Sequence, residues 1–118
     1  MTHREQVIRC IHNPAPESIA STVEGFLHQL GGPAMITVEG KDKDRTRAIC
    51  TLLHGNEPSG LKALHRWLRS GGTPAVNIVC FIISVEAALC ETLYKHRVLP
   101  GERDMNRCFA PPYGDYNG

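Results

Sequence analysis

The sequence predicts an α/β domain, a three-layer arrangement of a mixed sheet with flanking helices. Three observations predict it. The run over residues 75–85 is nearly continuous in apolar side chains (Val76, Ile78, Val79, Phe81, Ile82, Ile83), as in a strand buried on both faces. Residues 58–69 carry Leu61, Leu64 and Leu68 at helical spacing and stop at Gly71-Gly72. A second strand-like run, 46–53, comes just before that helix. Strand, helix and strand in that order predict a crossover connection and a parallel pair, 46–53 beside 75–85.

The other elements follow from the same patterns. Ile19, Val23, Phe26, Leu27 and Leu30 fall on one helical face, and Pro16 suits a first turn, so 16–30 is predicted helical with Gly31-Gly32 as its cap. Residues 34–38 read as a strand, and 39–45 as a charged turn. These predict a hairpin of 34–38 with 46–53. Residues 86–96 read as a helix with Ala87, Leu89, Cys90 and Leu93 available for packing. The first fourteen residues are ambiguous. From about residue 98 prolines and glycines interrupt every pattern, which predicts an irregular tail.

Length and composition narrow the function classes. A chain of 118 residues holds one domain with one modest core. The formal net charge of +1 leaves no electrostatic footprint for nucleic acid or anionic lipid. No apolar run approaches the roughly 20 residues needed to cross a bilayer. The polar N-terminus does not lead into a signal-peptide core. The expectation is a cytoplasmic protein with no nucleic-acid or membrane partner. Five cysteines with no CxxC pair read as reduced thiols, Cys50 and Cys80 among them as small hydrophobes in strands.

Two clusters can carry chemistry. The first is His54-Gly55-Asn56-Glu57-Pro58-Ser59-Gly60, directly after the strand-like run 46–53. Imidazole and carboxylate are common zinc ligands, and a two-residue gap lets both turn toward one point above a strand end. The plainer reading is that Glu57 favours the positive end of the following helix while His54 is a loop histidine. The second cluster is Arg103-Asp104-Met105-Asn106-Arg107-Cys108-Phe109, with Arg97 ahead of it. Arginine binds carboxylates in bidentate fashion and can stabilise an oxyanion. The plainer reading is a solvated loop. His65, close to the apolar stripe of its helix, reads as a packed or capping histidine.

Together the two clusters resemble the signatures of the succinylglutamate desuccinylase/aspartoacylase family, relatives of the zinc carboxypeptidases. Residues 54–60 look like that family's HGNExxG. Arg97 followed by Asp104-Met105-Asn106-Arg107-Cys108-Phe109 looks like its arginine and D-L/M-N-R-x-F segment. The resemblance covers about residues 34–112.

The resemblance implies a zinc carboxypeptidase-like fold. The implied activity is zinc-dependent hydrolysis of the amide bond of an N-acyl amino acid or similar small molecule. It implies His54 and Glu57 as ligands of one zinc ion and Arg97 as the group facing the developing oxyanion, with Arg103 an alternative. It implies Asn106 and Arg107 as the holders of a substrate carboxylate. In the family a third zinc ligand, a general-base Glu and a β-rich domain lie further along. The expectation is therefore that residues 1–118 form the N-terminal part of such a domain, inactive alone, with an open sheet edge through which copies could pair. The alternative is a non-catalytic remnant serving as a metal- or partner-binding module. One local departure is Ser84-Val85, where members commonly carry Asn-Pro.

Overall fold

The computed structural model describes residues 8–99. Their elements, in chain order, are β1 (Arg9–His12), a 3-10 turn (Pro16–Ser18), α1 (Val23–Leu30), β2 (Ala34–Val38), β3 (Asp42–Thr51), α2 (Ser59–Ser70), β4 (Val76–Ile82) and α3 (Val85–Leu89). The four strands make one mixed sheet in the order β1-β2-β4-β3. β1 runs parallel to β2, β2 antiparallel to β4, and β3 parallel to β4.

The expected parallel pair of β3 with β4 is present, with Thr51 opposite Ile82 and Ile49 opposite Cys80. The expected hairpin is not. β4 lies between β2 and β3, so residues 34–38 pair with 76–82. The reason lies in side-chain character. The apolar β4 can be paired on both sides, whereas Asp42, Lys43, Asp44, Arg45 and Arg47 of β3 tolerate only an edge. The charged stretch predicted as a turn is itself strand, with an irregular register between Asp42 and Thr46.

Alternation along the strands sends one set of side chains inward. Ala34, Ile36, Ile78, Cys80 and Ile82 are buried. Against them pack Phe26, Leu27 and Leu30 of α1, Leu61, Leu64 and Leu68 of α2, and Val85 and Ala88 of α3, in one core. The α2 stripe is the one the spacing predicted. The opposite face of the sheet carries Met35, Thr37, Val79 and Phe81, none of which joins that core. Among the described residues the molecule therefore has a sheet and one helical layer. The second helical layer of the predicted three-layer arrangement is not among them.

Two helices differ from expectation. Residues 16–30 are not one helix. Thr22 caps α1 by accepting the Gly25 N–H at 3.0 Å, and the preceding segment is held instead by Gln29, which bonds both Ala20 N–H and Ser18 carbonyl at 2.9 Å. The predicted helix 86–96 closes at Leu89, after five residues. Gly31 and Gly71 end α1 and α2 in the left-handed conformation, φ +72° and +73°, as their positions implied. β1 falls in the stretch whose sequence was ambiguous. Among the described residues no helix is long and apolar enough to cross a membrane.

Candidate metal centre

The chain leaves β3 at Thr51 and turns sharply. Leu52 takes a left-handed backbone, φ +54°, with its side chain only 2% exposed. This conformation is uncommon for a bulky residue and costs on the order of 1–3 kcal/mol. It sends the Leu52 side chain into the core and carries residues 53–57 over the strand end. There a short turn forms, closed by Glu57 N–H donating to the His54 carbonyl at 3.1 Å. α2 begins two residues after Glu57.

This turn brings the two predicted ligands into direct contact. His54 is 5% exposed, and its Nδ1 hydrogen-bonds to the Glu57 carboxylate. The Glu57 side chain remains 59% exposed. The imidazole is thus fixed by burial, while the carboxylate faces solvent, from which an ion can arrive. Nitrogen and oxygen donors of this kind suit a divalent metal such as zinc.

The glycines of the motif serve close packing. A Cβ at Gly55 would lie 2.3 Å from the His96 carbonyl oxygen and 2.7 Å from the Ala88 nitrogen. A Cβ at Gly60 would lie 2.7 Å from Thr51 Oγ1. Neither residue has the left-handed φ seen at Gly31 and Gly71. The role of Gly55 and Gly60 is to let α3, the chain after it and β3 come against the loop.

Arg97, predicted from the second cluster, is brought to the first one through its main chain. Its carbonyl accepts the Gly55 N–H at 2.8 Å, and its side chain is exposed. Asn106, Arg107 and the alternative Arg103 lie outside the described residues. His65 is packed, as its position suggested. It is 6% exposed, its Nε2 donates to the Ala20 carbonyl at 2.7 Å, and its ring tilts against Phe26 with centroids 5.5 Å apart. Among the described residues no three His, Cys, Asp or Glu side chains are grouped to hold a metal.

One residue that the motifs did not nominate belongs to this site. Ser84, two residues past the end of β4, donates its N–H to the Leu52 carbonyl at 2.8 Å and its hydroxyl to the Leu53 carbonyl at 2.6 Å. The only sequence signal for it was its place where the resembled family commonly has Asn-Pro. Comparison with models of protein families, with curated proteins and with solved structures finds no match to this chain.

Proposed function

We propose that this chain supplies two ligands of a zinc centre of the succinylglutamate desuccinylase/aspartoacylase type, which hydrolyses the amide bond of an N-acyl amino acid or similar small molecule. The observation that carries this reading is the contact of the buried His54 Nδ1 with the solvent-facing Glu57 carboxylate at the carboxyl end of β3. The donor set fits the metal as far as it goes: one buried imidazole and one solvent-facing carboxylate.

When bound, zinc would polarise the amide carbonyl and lower the pKa of a water. The chain's own residues have simpler tasks. His54 and Glu57 bind the ion, and the packing of Gly55 against His96 and Ala88 keeps their turn rigid. Arg97, tied by its carbonyl to Gly55, is the candidate to face the oxyanion that develops at the carbonyl. Asn106 and Arg107 are the candidates to hold a substrate carboxylate. A catalytic zinc takes three protein ligands. The described residues contribute two, so binding of the ion and turnover are separate questions.

The experiment is a zinc titration against a chromophoric chelator, followed by hydrolysis assays on a panel of N-acyl amino acids. One equivalent of zinc that is lost in His54→Ala and Glu57→Gln supports the centre. Hydrolysis that depends on that zinc supports the deacylase assignment. Zinc binding with no hydrolysis turns the reading toward a metal-binding module.

A further inference from the structure

We propose that Ser84 is a positioning residue for His54, holding the imidazole in the orientation that a metal requires. This inference rests on the metal-centre reading and adds to it a group that does not touch the ion.

Ser84 does not do what its position invites. It occupies the N-cap of α3, where a serine side chain ordinarily accepts a hydrogen bond from the first turn of the helix. Here no side-chain cap forms. The hydroxyl points the other way and donates to the Leu53 carbonyl at 2.6 Å. A capping residue that leaves its own helix uncapped is committed to the neighbouring segment.

That segment is the one before His54. The β3–β4 pairing reaches its last bond when Ile83 N–H donates to the Thr51 carbonyl at 3.3 Å. Beyond this point β3 is no longer a strand, because Leu52 has turned left-handed. Ser84 continues the grip past the strand end. Its N–H takes the Leu52 carbonyl and its hydroxyl takes the Leu53 carbonyl. Two successive carbonyls are therefore anchored directly after the strained backbone of Leu52, and His54 is next in the chain. Removing the hydroxyl leaves the part-buried Leu53 carbonyl without this donor and frees the peptide that carries His54. The backbone bond to Leu52 survives, so the loss is local to the residue that feeds the site.

Groups that orient metal ligands from outside typically change affinity by ~10- to 100-fold when removed. The test compares wild type, Ser84→Ala, Ser84→Thr and Ser84→Cys on the full chain, using zinc alone as the probe. Expected is a tenfold or greater loss of zinc affinity in Ser84→Ala, restoration in Ser84→Thr, which keeps the hydroxyl, and an intermediate affinity in Ser84→Cys, a weaker donor. A second readout needs no zinc. The ring-nitrogen NMR shifts of His54 in the metal-free chain report the Nδ1 bond to Glu57, and that signature should weaken in Ser84→Ala while circular dichroism stays native. If alanine unfolds the chain, the Thr and Cys variants carry the comparison. Unchanged zinc affinity together with an unchanged His54 signature in folded Ser84→Ala or Ser84→Cys overturns the proposal. Wild type that binds no zinc removes the metal-centre reading and with it the metal role of Ser84.

Discussion

The N–H of Gly55 donates to the carbonyl of Arg97 at 2.8 Å, joining two segments more than forty residues apart in the chain. Gly55 sits between the two candidate ligands, and Arg97 opens the second sequence cluster. The bond forms only because residue 55 has no side chain, since a Cβ there would meet backbone atoms of Ala87, Ala88 and His96 at 2.3–2.8 Å.

Backbone atoms cannot rotate away as side-chain ends can, so Gly55→Ala is expected to cost about 3 kcal/mol, the upper end for overpacking. Urea denaturation measures it. A change within about 0.5 kcal/mol, the range of neutral surface substitutions, would mean that the loop is not packed as described.

Cys80 makes stability depend on alkaline pH. The thiol is fully buried in the single core, and burial raises its pKa from an ordinary 9.0 to about 11. The unfolded chain loses this proton first, so the folded state binds more protons between pH 9 and 11. The contribution is complete below pH 9 and is lost as pH rises through 11, by about 2–3 kcal/mol at most. Tyr94 acts in the same direction, raised by burial and then by Glu24. Denaturation curves from pH 8 to 11.5 should fall for wild type and be visibly flatter for Cys80→Ala. Equal slopes in both would contradict the assignment. In the native state Cys10 and Cys50, both exposed, should react with a thiol reagent well before Cys80.

Among the described residues β3 is an edge strand, exposed from Asp42 to Cys50, and its second half presents Ala48, Ile49 and Cys50 without charge. Ile49 is 37% exposed. Such an edge invites pairing with a second copy, and the charged first half limits it to the apolar half. Sedimentation velocity is expected to show concentration-dependent dimerisation that Ile49→Lys suppresses. A monomer at all concentrations, or a dimer indifferent to Ile49→Lys, would rule out this edge.

Much of this architecture was legible because it is written locally. Leu61, Leu64 and Leu68 announce α2, the glycine after each long helix announces its end, and the apolar run of β4 announces a central strand. What was not legible depends on distant partners. The place of β4 between β2 and β3 is a competition between strands that no short window contains. β1 is four residues long, close to Pro14 and Pro16, and owes its state to pairing with β2. Residues 16–22 carry helical spacing, yet Gln29 holds Ser18 and Ala20 in another conformation.

The candidate site divides in the same way. His54 and Glu57 were readable because ligand chemistry and spacing coincide within four residues, and the fold puts them in contact. The part played by Ser84 was not readable, because a serine thirty residues away signals nothing until β4 is laid beside β3. Asn106 and Arg107 remain sequence-based candidates, since they lie outside the described residues.

Whether His54 and Glu57 bind zinc is measured by calorimetric titration of zinc into the metal-free full chain, beside His54→Ala and Glu57→Gln, each first shown to be folded by circular dichroism. One saturable site is expected in wild type, weakened at least tenfold in both variants. Zinc uptake that is absent in wild type, or equal in all three proteins, would contradict binding at His54 and Glu57.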